Sequence, residues 1–148
     1  MNKNILLLNG PNLNLLGTRK PGVYGMATLD EVVQEVKRRA TELGFDVVSF
    51  QSNSEGALID TIQEARTTCA GIIFNPGAYT HTSVAIRDAI EAVELPVIEV
   101  HISNIHKRES FRHHSYVSQV AAGVIAGCGT HGYRLALEAL AHLLNQQT

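Results

Sequence analysis

The chain has 148 residues, of which 45% are hydrophobic and 18% charged. This balance predicts one compact domain over residues 1–148 and argues against a disordered or fibrous segment. The formal net charge is -2, and the Lys and Arg residues are scattered, so neither nucleic acid nor a membrane is an expected partner. Small molecules remain the expected ligands.

The N-terminal residues and the two cysteines bear on location. The first apolar run, residues 5–8, is too short for a signal peptide or a membrane span. The sequence therefore predicts a cytoplasmic protein. Cys69 and Cys128 show neither C-x-x-C spacing nor a histidine at metal-ligand spacing. Both are expected to be reduced, buried and unreactive.

Five short apolar runs alternate with helical patterns along the chain. They are nearly continuous in Ile, Val, Leu, Phe and Ala, which is typical of parallel strands covered on both faces. The predicted strands are Asn4–Asn9, Asp46–Gln51, residues 70–75, residues 97–102 and Gly123–Ala126.

Four helices are predicted around these strands. The first has apolar residues at helical spacing from Leu29 to Leu43 and can end at Gly44. Thr28 and Glu31 form the capping pattern in front of it. The other helices are predicted over residues 55–66, over residues 82–93 and over a last segment with its apolar positions between residues 133 and 144.

Alternation of strands and helices with right-handed crossovers predicts an open, doubly wound α/β sheet, since a chain of this length is too short for an eight-stranded barrel. We expect a flavodoxin-like sheet of five parallel strands in the order 2-1-3-4-5, with helices on both faces. Such sheets bind ligands beyond the carboxyl ends of the strands, at the switch point between the first and third.

The loop after the first strand, residues 10–25, is long for a connection that usually has roughly 2 to 6 residues. A long loop at the switch point is commonly a lid, and its glycines permit sharp turns. Arg19 and Tyr24 place a cation and a phenol in this segment. A solvated Arg19 and a packed Tyr24 are the ordinary interpretation, but the other loops favour a site.

The loop after the third strand reads Asn-Pro-Gly-Ala-Tyr-Thr-His at residues 75–81. Asn75 ends the strand, and His81 lies near the start of a predicted helix, whose free N–H groups favour an anion. By itself this segment indicates only a polar turn and cap.

In the fourth strand, alternation places Glu99, His101 and Ser103 on one face. A glutamate and a histidine inside a covered strand are costly unless they are paired. A satisfied pair in the core is one interpretation. The other, favoured by the position at the strand's carboxyl end, is a carboxylate that orients a histidine general acid.

Four segments, taken together, carry a specific pattern. They are Asn-Gly-Pro-Asn-Leu-Asn-Leu-Leu-Gly at residues 9–17, the segment at residues 75–81, Glu-Val-His-Ile-Ser-Asn at residues 99–104 and Arg-Glu-Ser-Phe-Arg at residues 108–112. In this order and spacing they resemble the type II 3-dehydroquinate dehydratases, and the resemblance runs from about Ile5 to the last helix.

The resemblance implies a cofactor-free hydro-lyase, with no metal, that converts 3-dehydroquinate to 3-dehydroshikimate and water. The family's anti elimination passes through an enolate and belongs to the shikimate pathway of aromatic amino acid biosynthesis. The same reaction serves quinate breakdown, and the sequence leaves both roles open. The resemblance also implies a homododecamer built from trimers.

Residue by residue, the resemblance assigns the chemistry to the matching positions. Tyr24, as tyrosinate, would remove the proton, and Arg19 would stabilise that anion. A free tyrosine titrates near pH 10, so a base at neutral pH needs such a cation. Asn12 would hold a water or oxygen near the enolate, and His101, backed by Glu99, would protonate the departing hydroxyl.

A second set of residues is implied in substrate binding. They would fix the ring hydroxyls and the carboxylate, and one of them would reach the site of a neighbouring subunit. The residues implied to bind the ring hydroxyls and the carboxylate are Asn75, His81, Arg112 and the backbone of Ile102 and Ser103. The residue implied to reach the neighbouring subunit is Asp88.

The sequence does not support a nucleotide, phosphoacceptor or metal site. Residues 127–132 fit G-x-G-x-x-G, but a dinucleotide fingerprint belongs in the first βα turn, so we predict a tight turn into the last helix. No phosphate-binding loop of the form G-x-x-x-x-G-K-[ST] occurs, and Asn9 stands where a metal-dependent receiver domain would have acidic residues. His101, His106, His113 and His114 lack a metal-ligand spacing.

Two rival functions remain. A lysine imine route to the same product would need a desolvated lysine, whereas Lys3, Lys37 and Lys107 are expected to face solvent and Lys20 is expected in an open loop. A non-catalytic module that binds carboxylates would use the same scaffold but release no product.

Overall fold

The computed structural model describes residues 2–18 and 27–147. Within them the chain forms five strands and four α-helices. The strands are β1 (Asn4–Asn9), β2 (Asp46–Gln51), β3 (Gly71–Asn75), β4 (Val97–His101) and β5 (Gly123–Ala126), and the helices are α1 (Leu29–Leu43), α2 (Glu55–Thr68), α3 (Val84–Val93) and α4 (His131–Asn145). None of these helices is long and apolar enough to cross a membrane.

The five strands form one parallel sheet in the order β2-β1-β3-β4-β5, which confirms the predicted order. Asn9 at the end of β1 lies beside Gln51 on one neighbour and Asn75 on the other. His101 at the end of β4 lies beside Ala126. The carboxyl ends of the central strands therefore meet at one edge of the sheet and carry polar residues there.

Strand alternation divides the core into two layers. Ile5, Leu7 and Ile73 pack with α1 and α4 on one face. Leu6, Leu8 and Phe74 pack with α2 and α3 on the other. Because both faces are covered, the central strands read as continuous apolar runs. Glu99 and His101 alternate with Ile98 and Val100, which belong to the α1 and α4 layer, so the two polar side chains share the other face, as the sequence predicts.

The predicted ends of α1 are confirmed. The Thr28 hydroxyl accepts a hydrogen bond from the Glu31 N–H at 3.2 Å. At the other end, Gly44 adopts φ 85° and its N–H reaches the Ala40 and Thr41 carbonyls. This left-handed conformation favours glycine, because a side chain there would meet the backbone.

The third helix begins at Val84 and not at residue 82. Residues Gly77–His81 form a 3-10 turn, and the Thr82 N–H closes it by donating to the Tyr79 carbonyl at 3.2 Å. Ser83 is then the cap, accepting from the Ile86 N–H at 3.0 Å. His81 consequently belongs to the turn. Between β4 and β5, three further 3-10 turns take the place of a helix.

The prediction for the cysteines is half right. Both are free thiols and Cys69 is buried, but Cys128 is exposed. Cys128 lies in a turn between Gly127 and Gly129, whose φ angles are 88° and 63°. The Gly127 N–H donates to the His101 carbonyl at 3.2 Å, and the Gly129 N–H donates to the Ile102 carbonyl at 3.0 Å. The turn therefore leads into α4, as predicted, and leaves the Cys128 side chain outside the core.

Candidate active site

A pocket lies at the carboxyl ends of β1, β3 and β4, the predicted switch point. It combines amide, imidazole and guanidinium groups with an apolar wall. Its lining residues are Pro11, Asn12, Leu13, Leu15, Leu16, Asn75, Gly77, Ala78, His81, His101, Ile102, Ser103, Ile105, Arg108 and Arg112.

Two glycines bring the loops after β1 and β3 into contact. The Gly10 N–H donates to the Asn75 carbonyl at 2.8 Å, and a Cβ at Gly10 would lie 2.4 Å from the Pro76 carbonyl oxygen. Gly77 has φ 59°, and a Cβ there would lie 3.1 Å from the Pro11 oxygen. Neither position has room for a side chain, so the two loops form one floor of the pocket.

Asn12 occupies a strained position on this floor. Its φ is 71°, in the left-handed region that asparagine tolerates better than most residues. Its N–H donates to Asn53 Oδ1 at 3.0 Å, and Gln51 Nε2 donates to the Gly10 carbonyl at 3.1 Å. Side chains at and beyond the end of β2 thus hold the backbone of this loop in place.

A buried neutral network supports Asn75. Its Nδ2 donates to the Tyr133 hydroxyl at 2.9 Å, and that hydroxyl donates to Asn9 Oδ1 at 2.6 Å. Asn75 Oδ1 accepts from the Gly77 N–H at 3.0 Å. Burial raises the pKa of Tyr133 above its ordinary value, so the phenol stays neutral. The network fixes the Asn75 amide at the pocket edge.

A buried ionic pair lies under the β4 side of the pocket. Glu99 has 0% exposure, and His101 Nε2 contacts its Oε2. Burial alone would raise the pKa of Glu99, but the hydrogen bond and charge of His101, with hydroxyl donors, outweigh it and hold the pKa below its ordinary value. Glu99 is therefore a carboxylate at neutral pH.

This pairing determines what His101 can do. A carboxylate only accepts, so Nε2 carries a hydrogen and Nδ1 is the nitrogen left to serve the pocket. In the neutral ring Nδ1 is an acceptor, and in the imidazolium it is a donor. The hydrogen bond to Glu99 therefore orients the ring so that Nδ1 is the nitrogen that can exchange a proton with a ligand.

His81 stands near His101, with the two rings 6.5 Å apart between centroids and tilted by 18°. Its Nδ1 donates to the His114 carbonyl at 2.8 Å. In the neutral ring Nε2 is then the nitrogen that can accept a hydrogen bond. Burial lowers the pKa of His81, and although the His114 carbonyl acts in the opposite direction, the charges of His101 and Arg112 lower it further. His81 is thus an acceptor at neutral pH.

Two arginines supply positive charge beside the histidines. Arg112 Nε donates to Glu109 at 2.5 Å, and its guanidinium carbon lies 5.0 Å from the centroid of the exposed Phe111 ring. Arg108 Nη1 donates to the Ser103 hydroxyl at 3.4 Å. With two cations and few carboxylates on its wall, the pocket suits an anionic polar ligand.

Comparison with known proteins decides the family. The family model described as dehydroquinase class II matches residues 3–141, nearly the whole chain. The chain belongs to this family.

Individual relatives agree with that family. A catabolic 3-dehydroquinase of Aspergillus clavatus is 59% identical over 141 residues, covering 95% of this chain and 94% of the relative. The 3-dehydroquinate dehydratase 2 of Pseudomonas aeruginosa is 62% identical over 138 residues, covering 93% of each chain. The crystal structure of a type II dehydroquinase from Propionibacterium acnes superposes with a TM-score of 0.91 at 46% identity, covering 96% of this chain and 98% of that one.

Not every predicted site residue of this class II dehydroquinase lines the pocket. Glu99 lies behind His101, out of reach of a ligand. Asp88 lies on α3 with its side chain 63% exposed and accepts from Arg87 Nη1 at 2.9 Å, so it does not belong to the pocket described above. Arg19 and Tyr24 lie outside the described residues.

Two of the rival interpretations can be examined in the described part of the chain. Lys3, Lys37 and Lys107 are exposed there, as predicted, while Lys20 is not among the described residues. No group of three or more His, Cys, Asp or Glu side chains in residues 2–18 and 27–147 could hold a metal ion.

The structure also reveals contributors that the sequence did not single out. Arg108 lines the pocket, although the sequence marked it only as part of a motif. Leu13, Leu15 and Leu16 form an apolar wall around a 3-10 turn. The hydroxyl groups that contact Glu99 belong to Thr80, Ser115 and Ser118. Thr80 lies in the segment at residues 75–81, but the sequence assigned it no role, and no motif included the two serines.

Proposed function

We propose that this class II dehydroquinase is a hydro-lyase that converts 3-dehydroquinate to 3-dehydroshikimate and water, with the whole chain as one catalytic domain. The buried Glu99–His101 pair at the end of β4 carries the proposal, because it places an imidazole that is oriented by a carboxylate at a pocket with two arginines. Relatives with nearly full mutual coverage are named for this substrate.

The first step is removal of a proton from the carbon next to the ketone. We assign this proton to Tyr24 as tyrosinate, with Arg19 stabilising the phenolate, because of the match to the family's motifs. The electron pair moves onto the ketone oxygen as an enolate. Asn12, on the pocket floor, is assigned to hold a water or oxygen there, since placed donors stabilise developing charge.

The second step is loss of the hydroxyl. The enolate reforms the ketone, and its electron pair forms a double bond between the deprotonated carbon and the carbon that bears the hydroxyl. The carbon–oxygen bond breaks, and His101 protonates the departing hydroxyl from Nδ1 to give water. Glu99 accepts from Nε2 and holds the ring with Nδ1 toward the departing hydroxyl. Neither step requires a cofactor.

Binding uses the remaining lining groups. We assign the ring hydroxyls and the carboxylate to Asn75, His81, Arg112 and the backbone of Ile102 and Ser103. Neutral His81 can accept from a hydroxyl at Nε2. Asp88 is assigned to the site of a neighbouring subunit in a dodecamer of trimers, which its exposed position on α3 allows.

The cellular role follows from the reaction. We place the enzyme in the cytoplasm, in the shikimate pathway of aromatic amino acid biosynthesis. The relatives include one named catabolic and one without that word, so quinate breakdown is the alternative. Loss of the gene should create a requirement for aromatic amino acids; loss of growth on quinate alone would assign the enzyme to breakdown.

The decisive experiment is an ultraviolet assay for the conjugated enone product on purified protein with 3-dehydroquinate. We expect enone formation, unaffected by chelators. Borohydride added with substrate should leave the enzyme active, because no imine forms. A protein that binds substrate without forming an enone would instead be a carboxylate-binding module, and inactivation with a reduced lysine adduct would indicate the imine route.

The pairing of Arg19 with Tyr24 has its own test, kcat measured against pH. If Arg19 lowers the pKa of Tyr24, Arg19→Ala should lose activity at neutral pH and partly regain it at higher pH. Arg19→Lys should recover part of the loss, because an ammonium is a more hydrated and less directional partner. A loss by the same factor at every pH would mean that Arg19 acts only through positioning or direct charge stabilisation.

A further inference from the structure

The Glu99 carboxylate is held by more than His101. Oε2 accepts from the hydroxyls of Thr80 and Ser115 at 2.8 Å each, in addition to its contact with His101 Nε2. Oε1 accepts from the Ser118 hydroxyl at 2.5 Å. Both carboxylate oxygens therefore have partners, and three of these are side-chain hydroxyls.

The arrangement favours an ionised Glu99. A carboxylate only accepts hydrogen bonds, and every side chain in contact with Glu99 can donate one, three at Oε2 and one at Oε1. The Thr80 and Ser115 oxygens also lie 2.5 Å apart, so one of these hydroxyls can donate to the other while the second still donates to Oε2. A proton on Oε2 would remove an acceptor position that these donors use, so the hydrogen bonds favour the carboxylate form of Glu99.

Backbone N–H groups fix the segments that carry these three hydroxyls. The Tyr116 N–H donates to the Thr80 carbonyl at 2.8 Å, which joins the turn before α3 to the segment before β5. The Ser118 N–H donates to the Ser115 hydroxyl at 3.1 Å. Thr80 and Ser115 are buried, so their positions are set before any ligand arrives.

The same two segments also position the second histidine. His81 follows Thr80 directly, and its Nδ1 donates to the carbonyl of His114, the residue before Ser115. One pair of segments therefore sets the orientation of both imidazoles. None of the three hydroxyl residues is among those that line the described pocket, so they act on a ligand only through Glu99 and the histidines.

We propose that Thr80, Ser115 and Ser118 are positioning residues of the dehydration: they hold Glu99 as an oriented carboxylate, so that His101 keeps Nδ1 toward the substrate and carries the proton that leaves with the hydroxyl. The inference rests on the proposed function. It predicts an effect on the step that uses the His101 proton and not on substrate binding.

Thr80 offers a matched pair of variants. Thr80→Val keeps the shape but removes the hydroxyl, and Thr80→Ser keeps the hydroxyl but removes the methyl. We expect Thr80→Val to lower kcat roughly 5- to 20-fold with KM within roughly twofold of wild type, since a bond to a charged group is lost. Thr80→Ser should retain most of the wild-type kcat.

A control separates this effect from the general cost of losing a threonine hydroxyl. Thr61, on α2, is half-buried and donates its hydroxyl to the Ala57 carbonyl at 2.8 Å, so Thr61→Val removes a hydroxyl bond that does not involve Glu99. It should leave kcat unchanged. If Thr80→Val does not fold, Ser118→Ala replaces it, because Ser118 is an exposed residue and its loss removes little packing.

A double-mutant cycle tests whether the hydroxyls act through Glu99. In a Glu99→Gln background, whose own kcat is reduced, Thr80→Val and Ser118→Ala should cause little further loss. If the two variants lower kcat by the same factor in the wild-type and Glu99→Gln backgrounds, the proposal is overturned. It is also overturned if the wild-type enzyme is active and both single variants keep its full kcat. If wild type forms no enone, the proposed function fails first and this inference falls with it.

Discussion

Two buried polar networks stand at the carboxyl ends of the strands, and they differ in charge. Asn9, Asn75 and Tyr133 form a neutral network between β1, β3 and α4. Glu99 and His101 on β4 form an ionic one that is completed by hydroxyls. Both present one side chain to the pocket, an amide in the first case and an imidazole in the second.

This difference in charge indicates that the two networks have different roles. A neutral network whose members all have partners stabilises the fold at any pH near neutrality and fixes a donor and acceptor at the switch point. A buried carboxylate is costly to hold, and it is retained where its charge controls a proton. The fold therefore uses one network to build the pocket and the other to prepare it for acid chemistry.

Removing the imidazole should have the largest effect on turnover. His101→Ala should lower kcat by roughly 100- to 10,000-fold, the usual contribution of a general acid. Tyr133→Phe, which alters the neutral network, should lower kcat by less than roughly tenfold. Steady-state kinetics with the enone assay would measure both. Near-normal turnover of a folded His101→Ala would remove that residue from its role.

Removing the charge alone should have the next largest effect. In Glu99→Gln the amide oxygen can still accept at the Oε2 position, and the amide nitrogen can donate to Ser118, whose hydroxyl accepts as well as donates. The hydrogen bonds persist while the charge is lost. We expect kcat to fall roughly 10- to 100-fold, because bonds to charged groups contribute about 1.5 to 3 kcal/mol. A kcat equal to wild type would show that the charge is not used.

Tyr133→Phe should act mainly on stability. It leaves Asn9 Oδ1 and one Asn75 N–H without a partner in the core, which costs about 1 to 3 kcal/mol. Tyr79→Phe is the matched control, because the Tyr79 hydroxyl donates to the Asn53 carbonyl at 2.8 Å in an exposed place. It should cost less than about 1 kcal/mol. Denaturant unfolding at one fixed protein concentration would measure both, and equal costs would contradict the assignment of a buried network.

The order of the sheet could be predicted from the sequence, because continuous apolar runs and helical spacing are local patterns. The strand ends located Asn75 and His101, whereas Asn12, Arg112 and the backbone of Ile102 and Ser103 were assigned through the resemblance to a known family. The prediction was wrong about the start of the third helix, because a turn replaces the helix at residue 82. It was also wrong about the burial of Cys128, because a glycine turn leaves this side chain outside the core.

Local patterns could not predict hydrogen bonds between residues that are far apart in the sequence. Tyr133 is separated from Asn9 by more than a hundred positions, and Ser115 and Ser118 follow Glu99 at a distance that no helix or strand period relates. These contacts arise from the packing of whole elements. The sequence identified the groups that carry the proposed chemistry, whereas the groups that hold them required the structure.

The smallest expected effect is a difference between the two networks in how their contribution to the free energy of unfolding changes in acid. The folded pKa of Glu99 lies below its ordinary value, because His101 and the hydroxyls outweigh burial. As the pH falls, the unfolded chain takes up this proton first. The contribution of Glu99 to stability is therefore complete above the ordinary pKa of about 4.3 and is lost as the pH falls through the lower folded value.

His81 adds a separate step at higher pH. Burial lowers its folded pKa, so the unfolded histidine protonates first, and stability decreases as the pH falls below about 6.5. Wild type should lose stability in both ranges. Glu99→Gln should remove only the lower step and Tyr133→Phe neither, since burial raises the pKa of Tyr133 and keeps it neutral throughout. The measurement is the free energy of unfolding from roughly pH 8 to 3. A Tyr133→Phe curve that converges on wild type in acid would contradict the neutral assignment, and a Glu99→Gln curve parallel to wild type at every pH would contradict the ionic one.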